Sequence, residues 1–372
     1  MPSKNTPKKI VKSRPASAAS TPFYRRKLFV WPVGVVLGLA VFTFLAFKLS
    51  PWPSVLLVRM TFDHSGREAR AAQEKHTPST PVTVISDQQY QEGNRHALLD
   101  VYMPKSVDGT NQTLPVVVWT HGGAWVSGSK IDNAAYFKLL ASQSFTVVAL
   151  NYTLAPTKKY PAQLFELNEA LSYIVANADR FHINPTKIFL AGDSAGSQLS
   201  SQMAALITNP AYAQTVGIKP ALVPDQLAGT VLFCGIYKVE GLTEADPHLP
   251  KLISWGDDQV VWAFSGTRDY SSPIIHQMSP YYFVTEAFPP TFISGGNGDP
   301  LTDKQSVPLA NKLKSAGAGV TTLFYAADHQ PALPHEYQFN LDTADGRKAF
   351  AELTQFLRSQ AQAQAHQPDT FL

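Results

Sequence analysis

The stretch Gly192-Asp193-Ser194-Ala195-Gly196 constrains this chain more than any other. The apolar run KIFLA enters it, and SQLSSQMAALI leaves it with a pattern a helix can use. A strand that gives way to a helix through so few residues must turn sharply, and glycines on both sides let backbone segments approach closely. The serine hydroxyl is then held at the sheet edge above the start of a helix, as in a nucleophile elbow. G-x-S-x-G by itself would serve equally as a structural turn. The strand before it and the helix after it give it chemical meaning.

The rest of the chain from about residue 80 extends the same alternation. Residues 82–85 and 97–102 read as an opening hairpin, and LPVVVWT at 114–120 reads as a strand buried on both faces. A helix over 132–142, a strand over 145–151, a helix over 161–178 and the strand 187–191 follow. After the helix at 195–208 come a strand at 227–233, a strand at 291–294, a helix at 304–315, a strand at 320–325 and a last helix at 343–358. Such βα units argue for a mostly parallel central sheet with helices on both faces. Residues 236–288 break the alternation, are too long for a plain connection and are rich in Trp, Phe and Pro. They are expected to form a cap or lid, with Trp255, Trp262, Phe264, Tyr281 and Tyr282 as candidates for an acyl pocket or for plain core.

A second motif, His121-Gly122-Gly123-Ala124-Trp125, follows directly on the strand VVVWT. Attack on a carbonyl leaves negative charge on its oxygen, which preorganised N–H donors stabilise. Adjacent glycines can turn their N–H groups toward the serine, so Gly122, Gly123 and Ala195 are the expected oxyanion donors. His121 is expected to hold the loop and Trp125 to line the pocket.

Residues 28–47, LFVWPVGVVLGLAVFTFLAF, carry no charge and lie between Lys27 and Lys48. A helix of that length is about 30 Å long, the thickness of a bilayer core. A cleaved signal peptide would be shorter and end in a small-x-small site, whereas Phe47-Lys48-Leu49-Ser50 is a poor one. An uncleaved signal anchor over 28–49 is therefore expected. Of the 31 Lys and Arg residues, eight fall in positions 1–27, which hold no acid, so the remaining 23 face 28 acidic residues. The basic tail 1–27 would stay cytoplasmic and the remainder would lie on the outer side of the membrane. That balance argues against a basic nucleic-acid face on the folded part. Residues 50–79 read as a juxtamembrane linker and 359–372 as a flexible tail. The lone Cys234 allows no intrachain disulfide and no thiolate metal cluster, and it reads as a core residue.

HGGAW, then Asn151-Tyr152-Thr153-Leu154-Ala155-Pro156, then Tyr160-Pro161-Ala162, then GDSAG, in that order, resembles the hormone-sensitive-lipase-like group of α/β-hydrolases over about residues 80–358. Asn151, Thr153 and Thr157 depart from that group's usual Asp, Arg and Glu. The resemblance implies an α/β-hydrolase fold and a serine carboxylesterase or lipase, with amidases also in the group. Its triad runs Ser, Asp, His along the chain. That implies Ser194 as nucleophile and Asp299 of Asp299-Pro300-Leu301 as the acid, with Asp303 the alternative. For the base, His335 has an aromatic residue two places on, as in the group, while His329 lies nearer the strand end. No cofactor or metal is expected, and the partners would be a small-molecule or lipid ester and the membrane. A non-catalytic binding protein on the same fold, or an amidase or acyltransferase, are the alternatives.

Overall fold

The computed structural model describes residues 23–242 and 251–363. The chain divides into two compact units, 1–50 and 51–372. In the first, α1 (Phe23–Leu49) is one continuous helix with Pro32 inside it. Its portion Trp31–Leu49 is long and apolar enough to cross a membrane. The basic tail expected at 1–27 lies, up to residue 22, outside the described residues.

The second unit is built on eight strands: β1 (Val82–Gln89), β2 (Leu98–Pro104), β3 (Leu114–Thr120), β4 (Thr146–Leu150), β5 (Ile183–Asp193), β6 (Leu227–Phe233), β7 (Thr291–Ser294) and β8 (Val320–Leu323). They form one sheet in the order β1-β2-β4-β3-β5-β6-β7-β8. β1 and β2 are antiparallel at one edge. From β4 to β8 every neighbouring pair is parallel.

Alternation of side chains along the central strands divides the core into two layers. Val116 and Val118 of β3 face one layer with α4 (Ala162–Ala176), α5 (Ala195–Thr208) and α9 (Val307–Ser315). Val117 and Trp119 face the other, with α3 (Ala134–Ala141) and α10 (Ala344–Ala363). Every residue of α5 is buried, so the helix behind the serine has no solvent face. α6 (Pro210–Val216) follows it directly.

Two expected boundaries are corrected. Residues 50–79 are no loose linker, because α2 (Trp52–Gln73) fills most of them and belongs to the second unit. Its residues Ser54 and Val55 are buried, and Ser54 Oγ donates to Oε1 of Gln259 at 3.3 Å. At the other end α10 continues to Ala363, because Leu357 and Ala361 still bury against the sheet layer. Only 364–372 of the expected tail lie outside the described residues.

The stretch 236–288 does hold the interrupting elements, chiefly α7 (Lys251–Ser265) and α8 (Pro273–Gln277). α7 packs beside α2.

Candidate active site

Each chemical residue sits just past the C-terminal end of a parallel strand, where such sheets gather their ligand-binding loops. Ser194 follows β5 and opens α5. Its φ of 49° and ψ of −119° are a left-handed conformation that a side chain resists, and its N–H donates to the carbonyl of Phe233 at 2.9 Å. The flanking glycines are steric requirements: a Cβ on Gly196 would lie 2.0 Å from the carbonyl oxygen of Thr120, and one on Gly192 2.5 Å from the backbone of Gly196.

Asp299 follows β7 and is buried. Its Oδ1 accepts the N–H of Leu301 at 3.0 Å, and its Oδ2 lies 2.8 Å from Nδ1 of His335. His335 comes from the loop after β8. The other candidate, His329, points elsewhere: its Nε2 pairs with Asp345 at 3.1 Å and its ring lies against Tyr325. Asp303 lies in the helical turn Thr302–Ser306 and is exposed. The structure thus brings Ser194, Asp299 and His335 to one cavity and leaves His329 and Asp303 out of it.

The glycine loop after β3 is pinned from several sides. His121 stacks on Tyr152 at 4.4 Å, and its Nδ1 lies 2.7 Å from the carbonyl of Gly122. Burial lowers the His121 pKa to about 4, so the ring is neutral and Nδ1–H is the donor. The Tyr152 hydroxyl donates to the same loop. Trp125 stacks on Phe264 and donates to Gln198 at 3.0 Å.

One expected oxyanion donor is corrected at this point. The N–H of Gly122 is given to Oδ2 of Asp193 at 2.8 Å, while Oδ1 accepts from the indole of Trp119 at 2.7 Å. An N–H held by a buried carboxylate cannot also hold a reacting oxygen, so Gly122 shapes the loop. Among the described residues, the N–H groups of Gly123, Ala124 and Ala195 have no acceptor. Gly123 and Ala124 both have positive φ, 94° and 49°, which aims successive N–H groups in a manner extended backbone cannot.

Two neighbours of the imidazole were not singled out from the sequence. Cys234, buried as expected of a core residue, lies behind the ring, and its ligand atom and those of Asp299 and His335 are all within 4.8 Å of one another. Burial pushes its thiol up to about 11, which leaves it neutral at physiological pH. Glu336 adopts a left-handed φ of 61° and brings Oε1 to 3.9 Å from Nε2 of His335. A residue after a histidine at positive φ is where glycine would sit without strain. Desolvation works against the imidazolium of His335, but Cys234 and the hydrogen bond that Nδ1–H donates to Asp299 outweigh it, and the pKa of the imidazole lies well above the ordinary histidine value.

The cavity measures about 880 Å³ and is lined by Ser194, His335 and Gly123, by Thr61, Phe62 and Ser65 of α2, and by Asp257 and Val260 of α7. α2 is fastened over it. Arg59 donates from Nε to the carbonyl of Val126 at 2.5 Å and from Nη2 to that of Ala155 at 2.9 Å, and Asp63 accepts from Ser127. Of the cap aromatics expected to line an acyl pocket, none does so among the described residues. Phe264 is spent on Trp125, and the Trp262 ring carries the Arg268 guanidinium at 3.7 Å.

Sheet order, elbow and the Asp299–His335 pair together define an α/β-hydrolase. The chain matches the BD-FAE family model over residues 99–313, more than half its length, and it belongs to that family. It is 27% identical over 261 residues to an esterase of Fusarium pseudograminearum, covering 67% of this chain and 74% of that one. With an alpha/beta hydrolase of Acanthamoeba polyphaga mimivirus it shares 32% identity over 118 residues, 31% of this chain and only 34% of that relative. Among solved structures, esterase B of Lactobacillus rhamnosis superposes with a TM-score of 0.71 at 20% identity, covering 84% of this chain and 97% of that one. That likeness establishes the fold.

Proposed function

We propose that this protein is a serine hydrolase of carboxylic esters, working through an acyl-enzyme on Ser194. The reading rests above all on the 2.8 Å contact between Nδ1 of His335 and Oδ2 of Asp299 in the cavity that holds Ser194. Asp299 fixes the tautomer that leaves Nε2 free to accept a proton, and it stabilises the imidazolium once formed. Nε2 takes the Ser194 proton as Oγ bonds to the acyl carbon. The oxyanion is held by the N–H groups of Gly123 and Ala195, with Ala124 next to them. When the intermediate collapses, the ester C–O bond breaks and the imidazolium protonates the departing alcohol. Water, deprotonated by the same imidazole, then attacks the acyl carbon and releases the acid and the free serine. The family membership and the fungal relative described as an esterase support esters as the substrate class.

The second part of the reading concerns location. The apolar portion of α1, preceded by a basic tail, supports a single-pass signal anchor with residues 51–372 on the outer side of the membrane. Two experiments test these readings. A fluorophosphonate should label the wild type and not Ser194→Ala. Alkaline carbonate should leave the full chain in the membrane pellet, and external protease should reach the catalytic unit; release by carbonate would refute the anchor.

A further inference from the structure

We propose that the first two turns of α2 bed in the lipid surface, and that the substrate is an ester dissolved in the bilayer that reaches the cavity along this helix. The proposal rests on the ester-hydrolase and anchor readings above and goes on to name the docking surface and the physical state of the substrate.

α2 has two unlike sides. Inward, Ser54 and Val55 are buried and Val58 packs on the core. Outward, Trp52, Leu56, Leu57 and Met60 are 41%, 52%, 50% and 72% exposed. Their spacing of four, five and eight residues puts them on one face at about 100° per residue. Outside α1, half of the ten large apolar residues exposed among the described ones fall between Trp52 and Phe62. Scattered apolar residues on a soluble surface need no cause, but a concentrated patch marks an interaction site.

The pattern along the helix says what covers the patch. The same face continues as His64, Arg67 and Glu68, so it is apolar for two turns and charged afterwards. Two turns of helix are about 11 Å of axis, over which an apolar face can lie in the interfacial layer of a bilayer. The chain supplies the second argument. Only Ser50 and Pro51 separate the apolar helix ending at Leu49 from Trp52. Three residue steps reach about 10 Å at most, so Trp52 stays at the headgroup level if α1 spans, where tryptophan is favoured.

The helix that carries the patch is also a wall of the cavity. Thr61, Phe62 and Ser65, one, two and five residues beyond Met60, line it. A bilayer-dissolved ester leaving the lipid beside Met60 therefore meets Phe62 and then the cavity without crossing much water.

The test uses the full chain reconstituted in phosphatidylcholine vesicles, wild type against L56E/L57E/M60E, none of these three residues touching the cavity. The expected result is turnover of soluble p-nitrophenyl acetate within about twofold of wild type, and at least a tenfold loss on dioleoylglycerol carried in the vesicles. Equal turnover of both esters by the variant and wild type overturns the proposal. A second measurement needs no charge variant. The part of the fluorescence lost in Trp52→Phe should be quenched by lipids brominated near the headgroup, and absence of quenching overturns the docking. A wild type inactive on both esters would sink the hydrolase reading, and one that carbonate strips from the vesicles would sink the anchor. Either result would remove this proposal's footing for a different, identifiable reason.

Discussion

The carboxylate of Asp193 accepts the N–H of Gly122 at 2.8 Å, tying the glycine loop after β3 to the residue just before Ser194. Two segments 71 positions apart are thereby locked in register, which leaves the N–H groups of Gly123, Ala124 and Ala195 as the donors near the serine. Burial, followed by Glu336, pushes the Asp193 carboxyl well above the usual range, and the bonds from Trp119 and Gly122 oppose this.

Asp193→Asn tests that tether. An amide has one acceptor oxygen for two donors that now each have their own, so either Trp119 or Gly122 loses its partner. The loss of one charge-assisted bond, about 1.5–3 kcal/mol, should appear as a fall in kcat of roughly 10–100-fold with KM little changed. Steady-state kinetics on a short ester would show it. A wild-type kcat would mean the loop does not depend on the bond.

The elbow glycine has no tolerance. Gly196→Ala places a methyl 2.0 Å from the Thr120 carbonyl oxygen, against backbone that β3 holds fixed. Overpacking of this kind is expected to cost about 3 kcal/mol or more, seen as a lowered Tm or as insoluble protein. The contrast is Gly217→Ala, which has open space around its Cβ and should lose only what its φ of 77° imposes.

Activity should rise with pH along a limb set by His335. Only the neutral imidazole can take the serine proton, and its pKa lies above the ordinary histidine value, so kcat/KM should fall tenfold per unit as pH drops below a midpoint higher than 6.5. Glu336→Gln removes a carboxylate 3.9 Å from Nε2. Removing that neighbouring negative charge should move the midpoint down. A pH–rate profile with its midpoint at or below 6.5 in the wild type would contradict the assignment.

Truncation should separate anchor from cap. A chain starting at Pro51 keeps α2 and should hydrolyse soluble esters like the full protein. One starting at Thr77 loses the bonds from Arg59 to the Val126 and Ala155 carbonyls and uncovers the cavity. It should lose most activity and bind hydrophobic dyes. Comparable activity of the two fragments would show that α2 is dispensable.

The fold was legible wherever short-range pattern decides it. β3, β6 and β7 cover the spans read from their largely apolar runs, because strands buried on both faces are predominantly apolar. What was hidden depends on distant partners. Nothing local marks Trp52–Gln73 as a cap helix rather than a linker: its anchors, the Val126 and Ala155 carbonyls, lie 67 and 96 residues away. Gly122 and Gly123 are alike in sequence, and only a carboxylate arriving from β5 makes one structural. The choice between His335 and His329 likewise turns on which of two aspartates each meets, Asp299 or Asp345. Cys234 reads as core and is core, but its place behind the imidazole follows from the crossover of β6 beside β7. Of the cap aromatics, Phe264 is taken by Trp125 and Trp262 by Arg268 instead of a pocket.

The central claim is that Ser194, His335 and Asp299 act as one unit on esters. The most direct measurement is turnover of p-nitrophenyl esters from two to twelve carbons by Ser194→Ala, His335→Ala and His329→Ala beside the wild type. The account predicts losses of about 10⁴–10⁶-fold for the first two, of similar size, because residues of a triad fail together. His329→Ala should stay within a fewfold of wild type. A His335→Ala enzyme that keeps its activity, or a His329→Ala enzyme as dead as Ser194→Ala, would contradict it.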